Sequence, residues 1–300
     1  VNLPPGVNKG MLVAILMILV AAGTVIFHIV SPWWWTPIAS NWGYIDDTIS
    51  LTFWITGVVF IAVILFMAYC IIKFRYKEGN RAEYEPENKK LEWWLTGLTS
   101  VGVAGMLIPG LFVWNQYVTV PKGASEIEVV GQQWDWSFRY PGKDGILGTS
   151  NIKLISDDNP FGLNPKDPNG RDDILVAGDD LHLPIGRDVK VLLRSIDVLH
   201  DFYVPEFRAK MDMVPGMITY FWLTPTRPGT FDILCFELCG VGHHAMRANV
   251  VVETKDSFQD WLEEQETFAQ SLARADTRPG RSASLALKGS KGDPKERSAQ

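Results

Sequence analysis

Three long uncharged apolar runs in the first 115 residues constrain the fold of this sequence more than any other feature. Residues 11–30, 51–72 and 93–115 contain no Asp, Glu, Lys or Arg. Because an α-helix rises about 1.5 Å per residue, each run is long enough to cross the roughly 30 Å hydrocarbon core of a bilayer. The sequence therefore predicts a transmembrane anchor of three helices within residues 1–115 and excludes a wholly disordered chain.

The charges between these runs predict the orientation of the anchor. Six Lys and Arg residues lie in 73–90, whereas residues 31–50 have none and carry Asp46 and Asp47. Since basic loops remain on the cytoplasmic side of a membrane, we expect everything after the third run to lie outside, in the periplasm of a bacterial inner membrane. The aromatic segment Trp33–Trp35 is typical of the interfacial belt of a membrane protein.

Residues 116–270 have the patterns of an acidic all-β domain. They contain 24 acidic and 14 basic residues, a balance that steers a cationic partner toward the domain and does not favour nucleic acid. Short strands separated by Pro and Gly are predicted at 133–140, 189–193, 220–223, 230–234 and 249–252. The Asp-, Asn- and Gly-rich stretch 142–178 predicts a long excursion from the sheet, and 271–300 predicts a disordered tail.

One twelve-residue segment collects the residues that bind soft metal ions. Cys235, Cys239, His243 and Met246 lie within it, and His200 stands 35 residues upstream at the end of a predicted strand. Thiolate, thioether and imidazole ligands favour copper over magnesium or calcium. A mononuclear blue-copper site needs one thiolate only, so the second cysteine indicates two metal ions bridged by both sulfur atoms.

Three simpler interpretations of these residues remain open at this stage. His200, Cys235, Cys239 and His243 are a possible tetrahedral zinc set. The two thiols are also close enough in sequence to form a disulfide in an oxidising compartment. Met246 on its own is compatible with an ordinary core residue.

The motif Cys-x-Glu-x-Cys-x₃-His-x₂-Met, with Asp197-Val-Leu-His200 upstream, resembles the dinuclear copper centre of cytochrome c oxidase subunit II. Further segments match the family in the same order, and the resemblance covers about residues 45 to 265. These segments are Glu92 before a span, Gln133-Trp-Asp-Trp136, Asp212-Met-Val-Pro-Gly216 and Arg227-Pro-Gly229. The resemblance implies a Greek-key, cupredoxin-like barrel on the membrane anchor, and it implies that two copper ions are bound.

The resemblance also implies a role for particular residues. The implied copper ligands are His200, Cys235, Glu237 through its backbone carbonyl, Cys239, His243 and Met246. The Glu237 carboxylate would also face a magnesium ion shared with subunit I. Trp134 matches the first electron acceptor, Asp197 part of the docking patch for cytochrome c, and Glu92 the entrance of a proton channel.

The resemblance implies an electron-transfer subunit that passes electrons from cytochrome c to haem in subunit I, where oxygen is reduced to water and protons are pumped. No catalytic residue is then expected in this chain itself, and subunit III is a further expected partner. The sequence contains no Cys-x-x-Cys-His haem attachment motif, so the donor cytochrome is expected to be a separate protein. The alternative function is a membrane-tethered copper- or zinc-binding β domain with a carrier or scaffolding role.

Overall fold

The computed structural model describes residues 9–31, 36–81, 83–156 and 159–276. The chain divides into a helical unit that ends at Gln116 and a β unit that begins at Tyr117 and includes Ile38–Asn41. The aromatic segment Trp33–Trp35 and positions 277–300 of the predicted tail lie outside the described residues.

The helical unit contains the predicted anchor. Its helices are α1 (Lys9–Val30), α2 (Gly43–Lys73) and α3 (Lys89–Val118). Each helix is long and apolar enough to cross a membrane, which confirms the three predicted spans. Helices α1 and α2 pack on each other, and their buried residues Ala14, Ala21 and Ala68 are small, as is usual where membrane helices approach closely.

The described residues of the β unit form ten strands in two sheets. The strands are β1 (Ser125–Gln132), β2 (Asp135–Tyr140), β3 (Ile174–Ala177), β4 (Leu181–Pro184), β5 (Val189–Ser195), β6 (His200–Val204), β7 (Ala209–Met213), β8 (Thr219–Leu223), β9 (Gly229–Cys235) and β10 (Arg247–Glu253). One sheet has the order β3-β2-β1-β5-β8 and the other β4-β10-β9-β6-β7. Strand β1 runs parallel to β5 and β10 parallel to β4, and the remaining pairs are antiparallel. This arrangement agrees with the predicted cupredoxin-like β domain.

Aromatic side chains from both sheets form the centre of the core. Trp136 of β2 meets Phe202 of β6 edge-on, with ring centroids 5.7 Å apart. Phe202 in turn lies 5.9 Å from Phe221 of β8, and all three rings are buried. Aromatic pairs of this geometry add to the stability gained from burial alone. They therefore fix β2 against β6, the strand that begins at the predicted ligand His200.

His200 is the first residue of a strand, whereas the sequence pattern predicted that it ends one. Strand β5 stops at Ser195, and a short loop leads to His200 at the start of β6. The Asp197 side chain accepts a hydrogen bond of 2.6 Å from the Val198 N–H, a local contact that favours a turn over continued strand pairing. The prediction missed this turn because the surrounding residues are apolar.

The long excursion from the sheet is confirmed between β2 and β3, and its last residues already belong to β3. Phe161 and Leu163 from the excursion are fully buried and pack with Val130 of β1. Arg139 of β2 is also buried, and it donates a hydrogen bond of 2.7 Å to the Gly148 carbonyl. The excursion is therefore an additional packed layer on one sheet.

Two helices, α4 (Lys255–Glu264) and α5 (Phe268–Asp276), complete the described chain. Helix α5 includes residues 271–276, which the sequence analysis assigned to a disordered tail. The reason is Phe268, which is fully buried among Phe161, Leu163 and Val130. Composition does not reveal this contact, because the partners of Phe268 are more than 100 residues away in the sequence.

Substituting Phe268 by alanine tests the packing of the excursion against α5. We expect Phe268→Ala to lower the free energy of unfolding of the β unit by about 3–5 kcal/mol, the usual cost of removing a buried Phe side chain. Thermal unfolding of the purified chain measures the effect. The matched control is Ile152→Ala, since Ile152 is 73% exposed and should change stability by less than about 0.5 kcal/mol.

Candidate metal centre

The loop that joins β9 to β10 carries most of the predicted ligands. Cys235 is the last residue of β9, and Cys239, His243 and Met246 follow in the loop. The Cys235 N–H donates to the Met246 carbonyl at 3.3 Å, and the His243 N–H donates to the Gly240 carbonyl at 3.2 Å. These backbone bonds close the base of the loop and turn its side chains inward.

The two thiols face each other, and each has its own histidine. The Sγ atoms of Cys235 and Cys239 are 3.7 Å apart. His200 Nδ1 lies 3.8 Å from Cys235 Sγ, and His243 Nδ1 lies 3.6 Å from Cys239 Sγ. His200, Cys235 and Cys239 each place one potential ligand atom within 4.8 Å of the other two, and all three residues are buried. The structure therefore brings together residues that are far apart in the sequence.

Two further donors complete the cluster. Met246 is 1% exposed, and its Sδ lies 3.9 Å from Cys239 Sγ. The backbone carbonyl of Glu237 lies 3.3 Å from Cys235 Sγ. Met246 therefore points its sulfur atom into the cluster, which argues against its being only a core residue.

The donor set fits two soft metal ions better than one zinc ion. A structural zinc site takes four ligands and uses Cys, His or carboxylate groups, whereas six donors converge here and one of them is a thioether. The cysteines are free, with a sulfur separation well beyond the roughly 2.05 Å of a disulfide. Thiolate, thioether and imidazole ligands suit copper, so the residues present fit the copper centre that the sequence predicts.

Asp197 fixes the orientation of the His200 ring. Its Oδ1 lies 2.8 Å from His200 Nε2, a contact that favours the proton on Nε2 and leaves Nδ1 available to a metal ion. Its Oδ2 accepts a hydrogen bond of 2.6 Å from the Gln133 N–H. Burial opposes ionisation of Asp197, but the hydrogen bonds from His200, Gln133 and Val198 outweigh it and lower the pKa of the carboxyl.

The two thiols differ in how readily they lose a proton. Burial opposes ionisation of Cys235, yet hydrogen bonds from His200 and from backbone groups outweigh it and lower the pKa of this thiol. Burial and the neighbouring Cys235 both raise the pKa of the Cys239 thiol. Two adjacent thiolates repel each other, so a bound cation is needed to hold both in the ionised form.

Trp134 lies against the metal loop, the segment 236–246 that joins β9 to β10. It stands outside the strand, which was predicted at 133–140 to contain it. Strand β2 begins only at Asp135, and the Trp134 side chain is 39% exposed in the turn that precedes the strand. Its indole N–H donates to the Cys239 carbonyl at 3.3 Å. The strand predicted at 133–140 therefore begins two residues later than expected, because the chain turns before the strand begins.

Gln133 is a contact residue that the sequence analysis missed. Its side-chain amide donates to the Cys239 carbonyl at 2.8 Å, while its backbone N–H binds Asp197. It thus connects both ligand-bearing loops to the β1–β2 turn. The available signal was its place at the start of the family-matching segment 133–136, since neither contact is local in the sequence.

Glu92 does not belong to this cluster. It lies exposed in the first turn of α3, in the helical unit. An acidic residue at that place interacts favourably with the helix dipole. Its predicted role at a proton channel stays a prediction.

Comparison with known proteins identifies the family of the chain. Residues 125–255 match the family described as cytochrome C oxidase subunit II, periplasmic domain. The alternative cytochrome c oxidase subunit 2 of Bradyrhizobium diazoefficiens is 67% identical over 259 residues, which cover 86% of this chain and 94% of that protein. The chain belongs to the cytochrome c oxidase subunit II family.

More distant subunit II proteins match as well. The cytochrome c oxidase subunit 2 of Cereibacter sphaeroides is 28% identical and covers 76% of this chain and 77% of its own length. A crystal structure of the periplasmic domain of subunit II from Bradyrhizobium japonicum is 29% identical with a TM-score of 0.36, and covers 48% of this chain and 95% of that one.

The family assignment confirms three of the predictions made from the sequence. They are the resemblance to subunit II, the cupredoxin-like β domain on a membrane anchor, and the role as electron-transfer subunit of an oxidoreductase complex. The subunit II family also implies copper binding, for which the His200, Cys235 and Cys239 cluster is present.

Proposed function

We propose that this chain accepts electrons from a c-type cytochrome at a dinuclear copper centre and passes them to haem in subunit I of the oxidase. The observation that carries the proposal is the convergence of two facing thiols, each with its own histidine, beside a buried thioether. When bound, two copper ions would supply a one-electron redox centre, and the two thiolates would spread its charge over both metals.

The chain contributes a rigid site around that centre. His200, Cys235, Glu237, Cys239, His243 and Met246 are the proposed ligands. Asp197 and Gln133 hold the two ligand loops together through hydrogen bonds of 2.6 to 2.8 Å. Ligands fixed before and after transfer keep the reorganisation small, and hydrogen bonds to ligand residues of this kind support metal affinity.

Electrons would arrive through the exposed edge of Trp134. The indole is reachable from solvent, and its N–H is bonded to the backbone carbonyl of the ligand Cys239. The acidic surface of residues 116–270 would attract a lysine-rich cytochrome before contact. We place this surface in the periplasm and the anchor in a bacterial inner membrane, because basic residues lie between the second and third helices.

The remaining partners are proposed from the family resemblance alone. The Glu237 carboxylate would face a magnesium ion at the boundary with subunit I, and Glu92 would stand at the entrance of a proton channel. Subunit III would complete the complex. Oxygen reduction and most proton pumping would take place in subunit I.

Stopped-flow mixing of the copper-loaded chain with reduced cytochrome c tests the proposal. We expect the copper absorption to bleach as the cytochrome is oxidised, at a rate that falls as ionic strength rises because salt screens the acidic surface. A copper centre that takes no electrons from any c-type cytochrome would leave only a copper-carrier role.

Substituting Asp197 separates its contact with His200 from its proposed role in docking. Asp197→Asn keeps the size of the side chain but removes the charge that orients His200, so we expect about 10- to 100-fold weaker copper binding. Competition with a copper chelator measures this affinity. If copper affinity is unchanged and only the salt dependence of the cytochrome reaction is reduced, Asp197 acts in docking alone.

A further inference from the structure

The indole of Trp134 packs against Gly242, one residue before the proposed ligand His243. A Cβ atom built on Gly242 would lie 2.3 Å from Trp134 Cδ2, 2.6 Å from Cγ and 2.7 Å from Cε3. Carbon atoms in favourable contact are about 3.5–4.0 Å apart. No residue larger than glycine can therefore occupy position 242 while the indole keeps its place.

The backbone at Gly242 does not itself require glycine. Its φ and ψ angles are −89° and 4°, a conformation that other residues adopt. The neighbouring Gly240 differs, because its φ of +120° lies where residues with a Cβ are strained. The absence of a side chain at Gly242 is thus explained by the ring packed on it rather than by the turn.

We propose that Gly242 is a positioning residue for electron transfer, because its lack of a side chain allows the Trp134 ring to pack against the metal loop. The inference rests on the proposed role of Trp134 as first electron acceptor. A side chain at 242 pushes the ring outward and lengthens the hydrogen bond from Trp134 Nε1 to the Cys239 carbonyl, which is 3.3 Å. Electronic coupling falls steeply with separation, so the displaced ring passes electrons more slowly.

The test compares Gly242→Ala with the wild type in the full-length, copper-loaded chain. We expect unchanged copper content and spectrum, and oxidation of reduced cytochrome c slowed by about tenfold, equal to about 1.4 kcal/mol in the activation barrier. The matched control is Ala245→Ser, which adds one atom to an exposed residue of the same loop and should leave the rate unchanged.

A double-mutant comparison isolates the contact. In a Trp134→Ala background, Gly242→Ala should slow the reaction no further, because the ring it displaces is absent. Labelling with 5-fluorotryptophan gives a readout independent of activity, since the Trp134 resonance is identified by its loss in Trp134→Ala. We expect Gly242→Ala to move that resonance. The same resonance can be measured in the metal-free chain if the variant loses copper.

The outcomes distinguish this inference from the function on which it rests. The role of Gly242 is overturned if Trp134→Ala slows the oxidation of cytochrome c, while Gly242→Ala shows the wild-type rate and an unmoved fluorine resonance. Wild-type rates in both variants would overturn the role of Trp134 itself. Additive losses in the double variant would show that Gly242 acts on something other than the ring.

Discussion

Cys235→Ser is expected to abolish the mixed-valence copper signal that the proposed dinuclear centre would give. The Cys235 sulfur is 3.7 Å from Cys239 Sγ and 3.8 Å from His200 Nδ1, so its loss would remove one of the two sulfur bridges of the proposed centre. A serine hydroxyl is a hard ligand that does not replace a thiolate at copper. Two ions cannot then share one electron through paired sulfur atoms, and electron uptake from cytochrome c should be lost with the signal.

Electron paramagnetic resonance and metal analysis of the variant measure this result. The matched control is Cys70→Ser, which removes the third cysteine, in α2 of the helical unit, and should leave both signal and copper content unchanged. Retention of the mixed-valence signal in Cys235→Ser would show that the two thiols do not bridge the metals.

Trp134→Phe is expected to slow oxidation of the donor cytochrome while copper remains bound. Phenylalanine keeps an aromatic ring in the turn but lacks the indole N–H that binds the Cys239 carbonyl. The ring is also smaller, so the proposed contact with the donor would be reduced. We expect a rate about tenfold lower, or about 1.4 kcal/mol in the barrier, and an unchanged copper spectrum.

Stopped-flow kinetics with the substitution Trp222→Phe as control measures the effect. Trp222 lies half-buried on β8 of the same unit, so it reports what the loss of any indole does to the domain. Equal rates in Trp134→Phe and the wild type would mean that electrons reach the metal loop by another surface.

The ligand loop could be predicted from the sequence because its chemistry is local. Cys235, Cys239, His243 and Met246 occupy one short segment, and two thiols beside a thioether restrict the choice of metal. The spans of the anchor were predictable for a similar reason, since length and absence of charge decide whether a helix can cross a bilayer.

The contacts that hold the site were not predictable from the same patterns. Gln133 and Asp197 matter because two loops more than 60 residues apart approach each other in the folded domain. Gly242 gains its importance only when the Trp134 ring is placed on it. Residues 271–276 were expected in a disordered tail because the partners that hold α5 through Phe268 are distant in the sequence.

The copper content and resonance spectrum of the full-length chain test the central claim most directly. The facing thiols and paired histidines predict two copper ions per chain and a spectrum in which one unpaired electron interacts equally with both nuclei. One zinc ion per chain, or a single copper ion with a mononuclear spectrum, would contradict the assignment.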